Sequence, residues 1–171
     1  MRESLKAFIL KNKAPKIKAM ELGVMAGAHS KIMYDALIPR LQRLYLIDSW
    51  KVSYRPEMHD RLLTTVQKFE ENPIITVIKQ DSLRCLELFN NNSIDFIYID
   101  NAHDYEHVLR EIENWYAKVK PGGMLAGHDV NLQHPERVLK AVNNFCYDNN
   151  LNFSHKQNEG EQVGDWWIVK L

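Results

Sequence analysis

With 171 residues the chain can form one hydrophobic core but not a second enzyme module, so residues 1–171 are expected to be a single domain. Lys+Arg and Asp+Glu both number 22, and this balance gives no excess charge pointing to nucleic acid or an anionic membrane as partner. Cys85 and Cys146 lie far apart in helix-like patterns and read as reduced packing residues, which excludes a disulfide scaffold and suggests the cytoplasm. No apolar run is long enough to span a bilayer, and Met1–Lys13 lacks a secretory apolar segment. Almost no element is expected before Lys16.

From there strand and helix alternate. Lys16–Leu22 predicts a first strand, and Gly23 and Gly27 turn the chain into a helical pattern around Ser30. Leu44–Asp48 predicts the second strand, followed by Ser49, Trp50 and a modest loop to Pro56. Met58, Leu62, Val66 and Phe69 then recur at helical spacing. Ile74–Lys79 predicts the third strand, Ser82–Phe89 a helix, and Ile94–Asp100 the fourth strand. Tyr105, Val108, Leu109, Ile112, Trp115, Tyr116 and Val119 form one apolar stripe. Pro121-Gly122-Gly123 reads as a stop between that helix and a fifth strand, Met124–Val130. Val138, Val142, Phe145 and Cys146 mark the last helix. Leu151–Lys156 and Asp165–Leu171 predict a closing hairpin, with one of Trp166 and Trp167 facing inward. Near-continuous apolar strands separated by helices imply an α/β fold with a doubly wound, mostly parallel seven-stranded sheet. The hairpin makes one strand antiparallel.

Polar residues stand where five strands end, the side on which open α/β sheets bind ligands. They are Glu21, Asp48, Asp81, Asp100 with His103, and His128 with Asp129. The glycine turn can present backbone N–H groups to an anion, and Glu21 can hold a cationic group in the same pocket. Asp48 can accept both hydroxyls of a ribose with Trp50 packed on a purine, or it can be a turn residue beside a core tryptophan. Asp81 can accept from an adenine amino group or cap the helix that follows. His29, His59, His107, His134 and His155 read as surface residues.

The segments ELGVMAGAHS, LYLID and IDFIYIDNAHDYEHVLREIENWYAKVKPGGMLAGHDV together resemble class I S-adenosylmethionine-dependent methyltransferases. The branch it most resembles is the small-molecule O-methyltransferase group, which includes the catechol type and the antibiotic-tailoring sugar and macrolide enzymes. The resemblance covers about residues 16–130 and implies a Rossmann-like methyltransferase fold. It places Glu21, Gly23, Gly27 and Ser30 around the methionine end of S-adenosyl-L-methionine, with Asp100 beside them. Asp48, Ser49 and Trp50 then serve the ribose, and Asp81 with Ser82 the adenine. Two departures stand out. Met25 occupies the middle position of the common glycine triplet. His128-Asp129 replaces the two acids, or acid and amide, of metal-using members.

The implied reaction is O-methylation of a small hydroxylated acceptor such as a sugar, phenol or natural product. Asp100, His103, His128 and Asp129 are its catalytic candidates. Asp100, His128 and Asp129 can bind one divalent cation such as Mg²⁺ or Mn²⁺, or His128 or His103 can act as the base. A homodimer is compatible with this reading. Two other readings stay open: a non-catalytic S-adenosylmethionine-binding protein or partner subunit, and a nicotinamide-dependent oxidoreductase.

Overall fold

The computed structural model describes residues 1–51, 56–157, 160 and 162–171. Its strands are β1 (Ile17–Leu22), β2 (Leu41–Asp48), β3 (Ile75–Lys79), β4 (Ile94–Ile99), β5 (Val119–Val130), β6 (Ser154–Gln157) and β7 (Gly164–Val169). Its helices are α1 (Glu3–Lys11), α2 (Ala28–Leu37), α3 (Met58–Phe69), α4 (Tyr105–Trp115) and α5 (Val138–Asp148). The strands form one seven-stranded sheet in the order β3-β2-β1-β4-β5-β7-β6. β1 to β5 are parallel, and β7 runs antiparallel to both β5 and β6. The chain winds outward from β1 to β3 and then returns to β4 on the other side of β1. A crevice therefore opens beyond the carboxyl ends of β1 and β4.

The period-two alternation of strands sorts side chains into two cores. Met20, Leu22, Ile97 and Leu125 face α4 and α5, burying Ile112, Trp115, Val142 and Phe145. Ala19, Phe96, Tyr98 and Ala126 face the layer that contributes Leu5, Phe8, Met33, Leu37 and Phe69. No helix among the described residues is long and apolar enough to cross a membrane.

Four features differ from the sequence expectations. First, a helix does precede the first strand. α1 buries Leu5 and Phe8, and Phe8 stacks on Phe96 at 4.7 Å between ring centroids. Complete burial of two such side chains contributes about 1.5–3 kcal/mol each. Second, Pro121-Gly122-Gly123 lies inside β5, where the register with β4 shifts, because Gly122 and Gly123 pair with Lys170 on β7's side. Third, Ser82–Leu88 is a 3₁₀ helix, capped by the Asp81 side chain. Fourth, both hairpin tryptophans pack on the sheet. Trp166 is fully buried on the α4–α5 side, where its ring lies 2.7 Å from the position a Gly127 Cβ would take. Trp167, half-buried, packs on the opposite face. Both faces of the sheet are covered, so alternation puts one tryptophan in each core.

Candidate active site

The turn after β1 is built around Gly23, Met25 and Gly27, all with left-handed backbone (φ 88°, 51° and 68°). A Cβ on Gly23 would lie 2.2 Å from the Asp100 carbonyl oxygen, so only glycine lets the β1 turn meet the end of β4 this closely. Asp48 clamps the turn from β2. Its Oδ2 accepts the Val24 and Met25 N–H groups at 2.9 and 3.0 Å, and its Oδ1 accepts the Trp50 N–H at 2.8 Å. Trp50 is buried and donates its indole N–H to the Met25 carbonyl at 2.7 Å. The indole thus belongs to the core beneath the turn and does not line the adjacent cavity, contrary to the purine-packing expectation.

Two cavities flank this turn and share Gly23, Met25 and Asp100. One, about 480 Å³, is lined by Asp48, Ser49, Met58, Asp81, Ser82, Asn101 and His103, among others. It gathers the ribose- and adenine-side candidates of the sequence, and their polar groups are partly engaged already. Asp81 accepts the Leu83 N–H at 3.1 Å. Ser82 donates to Glu111, as does Asn101. Burial pushes the Glu111 carboxyl above its ordinary range, against those two hydrogen bonds, and its Oε2 has no partner. Glu111 was missed in the sequence reading. The available signal was a carboxylate at a stripe position, three residues after Val108 and four before Trp115.

The other cavity, about 510 Å³, lies between α1 and the start of α2. Glu21 lines it, but its carboxylate is held from α2: His29 Nδ1 lies 2.9 Å from Oε1, and the Ser30 hydroxyl donates to Oε2. His29 is therefore not the surface residue expected. Its ring packs against Tyr98 at 4.3 Å between centroids, tilted by 44°, and its Nε2 is buried without a partner. His59, His107, His134 and His155 are exposed as expected. Gly27 starts α2 without a side-chain cap, so the positive end of that helix, with Ala28 and His29, borders the cavity.

The catalytic candidates divide. His103 lies 2.8 Å from Asp129 through Nδ1 and Oδ2, and donor atoms of Asp100, His103 and Asp129 all fall within 4.8 Å of one another. The hydrogen bond to Asp129 raises the His103 pKa over the opposing effect of burial. Burial raises the Asp100 carboxyl, with the Glu21 and Asp129 charges adding to it and His128 and His103 opposing. For Asp129, burial pulls upward, but the His103 hydrogen bond and neighbouring positive charge leave its pKa lowered.

His128 is absent from that cluster, which corrects the expected triad of Asp100, His128 and Asp129. It is buried, with Nδ1 3.1 Å from Asp165 Oδ1 and Nε2 2.9 Å from the Arg2 guanidinium. A guanidinium only donates, so Nε2 accepts and the imidazole bonds to Asp165 as the Nδ1–H tautomer. Asp165 also accepts from the Ser4 N–H and hydroxyl at 3.0 and 2.6 Å and from Tyr98 at 3.1 Å. His128 thus helps attach α1 to β5 and β7. The cause is parity: His128 shares the Ala126 face, toward α1. The left-handed Asp129 (φ 62°) then carries the chain over the strand end toward His103.

Comparison with known proteins agrees with this layout. A family model described as a methyltransferase domain matches residues 20–130. The uncharacterized protein y4gI of Sinorhizobium fredii is 21% identical over 94 residues, which is 52% of this chain and 10% of that protein. This chain therefore spans about a tenth of the length of that curated relative. Among solved structures, Aeropyrum pernix fibrillarin in complex with natively bound S-adenosyl-L-methionine superposes with a TM-score of 0.68 at 19% identity, covering 96% of this chain and 74% of that one. The O-methyltransferase TomG of Streptomyces achromogenes, in complex with the same cofactor, gives 0.67 at 15% identity, covering 99% and 80%. These likenesses establish the fold. With the crevice between β1 and β4 flanked by a glycine turn and strand-end acids, and with the family model spanning the strands that build it, this chain belongs to the methyltransferase domain family.

Proposed function

We propose that the protein transfers a methyl group from S-adenosyl-L-methionine to a hydroxyl of a small acceptor. The observation that carries this reading is the pair of cavities meeting at Gly23, Met25 and Asp100. Adenosine fits the side bearing Asp48, Ser49, Asp81 and Ser82. The methionine end crosses the turn toward Asp100 and the start of α2, where Glu21, Gly27 and Ser30 stand. The sulfonium already activates the methyl group, so the chain must align the acceptor and remove its proton. His103 is the proposed base. Asp129 engages Nδ1, leaving Nε2 to take the acceptor's proton as oxygen bonds to the methyl carbon and the carbon–sulfur bond breaks.

The 4.8 Å clustering of Asp100, His103 and Asp129 supports a second version of the same site. Two carboxylates and one imidazole suit a divalent ion such as Mn²⁺, and a bound ion would lower the acceptor's pKa as a Lewis acid. With an acceptor found by following S-adenosylhomocysteine release across a hydroxylated library, EDTA separates the versions. Activity indifferent to EDTA, and lowered about 10²-fold by His103→Ala, supports the base. Activity lost to EDTA and restored by Mn²⁺ supports the ion. Thermal shifts test the cofactor directly: S-adenosylhomocysteine should stabilise the protein and NAD should not. Stabilisation by NAD alone would revive the oxidoreductase reading. Cofactor binding with no turnover on any acceptor would favour a non-catalytic binding protein.

A further inference from the structure

We infer that two copies of this chain associate through the outer edge of β3, antiparallel about Val77, so that their two sheets become one continuous sheet. The inference rests on the fold and is independent of the reaction proposed above.

The two edges of the sheet are built differently. β6 ends one side with Ser154, His155, Lys156 and Gln157, all polar and exposed, the usual protection of an edge against further pairing. β3 ends the other side with Ile75, Thr76, Val77, Ile78 and Lys79, of which only the last is charged, and none is buried. No strand among the described residues covers it. Its backbone groups alternate in direction. The Ile74 C=O accepts from Leu44 and the Gln80 N–H donates to the Asp48 C=O, so the even-numbered residues face β2. Ile75, Val77 and Lys79 therefore turn their backbone groups outward, and of these the Ile75 N–H is bonded to the Asn72 C=O.

The side chains continue the same surface. Ile75 and Val77 line a groove of about 310 Å³ with Leu62, Val66 and Phe69 of α3. α3 buries only Thr65 and Phe69, leaving Leu62 and Val66 half-buried and Leu63 exposed. An incompletely covered helix face thus adjoins an unguarded strand edge.

This edge is complementary to itself. With a twofold axis at Val77, the Val77 N–H donates to the other copy's Val77 C=O and the Lys79 N–H to its Ile75 C=O, each twice by symmetry. Only the terminal bond from the Ile75 N–H is forgone. Parallel pairing about a twofold axis fails, because it opposes two outward-facing residues where a parallel ladder needs one outward and one inward. Charge matches as well. Glu70 caps α3 and lines the groove with Ile75, while Lys79 lines it from the end of β3. Both are exposed, and neither has a charged partner among the described residues. In the antiparallel register Lys79 of each copy stands across from Ile75 of the other, on the Glu70 side, so a Glu70–Lys79 pair closes each end. A strand from an unrelated protein would use the same backbone groups without this match.

Sedimentation equilibrium from micromolar to millimolar protein tests the association, and a monomer–dimer equilibrium is expected. Lys79→Glu and Glu70→Lys should each weaken the dimer roughly tenfold, as both symmetric pairs turn repulsive, and the combined exchange should restore it. Val77→Cys tests the register. Hydrogen-bonded antiparallel partners lie about 5.5 Å apart at Cα, within disulfide reach, so this variant should cross-link to itself on mild oxidation. The native Cys85 and Cys146 are buried and stay out of the reaction. Glu70, Val77 and Lys79 line neither cavity of the proposed site, so S-adenosylhomocysteine affinity should be kept in all variants. A monomer throughout the concentration range would overturn the inference. So would a dimer indifferent to both charge reversals, or one in which Val77→Cys stays reduced while Ser154→Cys on the β6 edge cross-links.

Discussion

Replacing Asp48 should cost stability and cofactor affinity together, because one carboxylate both shapes the turn and faces the cavity. Asp48 is 7% exposed and accepts three backbone N–H groups, from Val24, Met25 and Trp50. Hydrogen bonds to a charged group contribute about 1.5–3 kcal/mol each, so the three together set a ceiling of roughly 4–9 kcal/mol. Water entering from the adjoining cavity can replace part of this, which brings Asp48→Ala to about 3–5 kcal/mol. Asp48→Asn keeps one acceptor oxygen and turns its amide toward the remaining donor, so about 1.5–3 kcal/mol is expected. Urea unfolding measures both variants, and calorimetry with S-adenosylhomocysteine measures the site. Affinity should fall tenfold or more in each variant, about 1.4 kcal/mol. An Ala variant that unfolds within about 1 kcal/mol of the parent would refute the clamp. A destabilised Asn variant that binds S-adenosylhomocysteine normally would remove Asp48 from the ligand site.

Glu111→Gln should stabilise the protein at neutral pH. Burial raises the native Glu111 pKa, so the folded state holds its proton more tightly and loses stability as pH rises through that value. The variant's advantage should therefore shrink as pH falls below the unfolded carboxyl pKa. Melts with an unchanged gap at low and neutral pH would contradict this. Gly23→Ala sets a methyl group 2.2 Å from the Asp100 carbonyl in left-handed backbone and should cost more than about 3 kcal/mol by urea unfolding. A neutral result would mean that the turn and β4 do not meet as described. Trp166→Ala empties a fully buried site against Gly127 and should cost about 3–5 kcal/mol, more than Trp167→Ala on the half-buried position. Equal losses would contradict the assignment of the two rings to differently buried faces.

The sequence by itself determined the alternation of strand and helix, the glycine turn and the acids at the strand ends. These are short-range properties. Apolar runs must be covered on both faces, glycines mark left-handed backbone, and a polar residue ending an apolar run lies at the rim of the sheet. Ser82–Leu88 is helical as expected, though as a 3₁₀ helix, whereas Pro121–Gly123 continues β5 because strand pairing, not local composition, chose between a stop and a register shift. α1 was missed because its single apolar face becomes meaningful only where Phe8 meets Phe96.

Which acids and histidines act together was a tertiary matter. His103 and His128 are equivalent candidates on the chain. Strand parity turns His128 to Arg2 and Asp165, while the left-handed Asp129 reaches back to His103. Asp48 and Glu21 were legible as strand-end acids, yet their partners come from the glycine turn and from α2, set by how the chain folds back over the strand ends. Arg2, Lys6 and Arg61 share one cavity although α1 and α3 are separated along the chain by two strands and a helix. Side-chain direction depends on register and on which element packs opposite, and those are fixed only when the sheet closes against its helices.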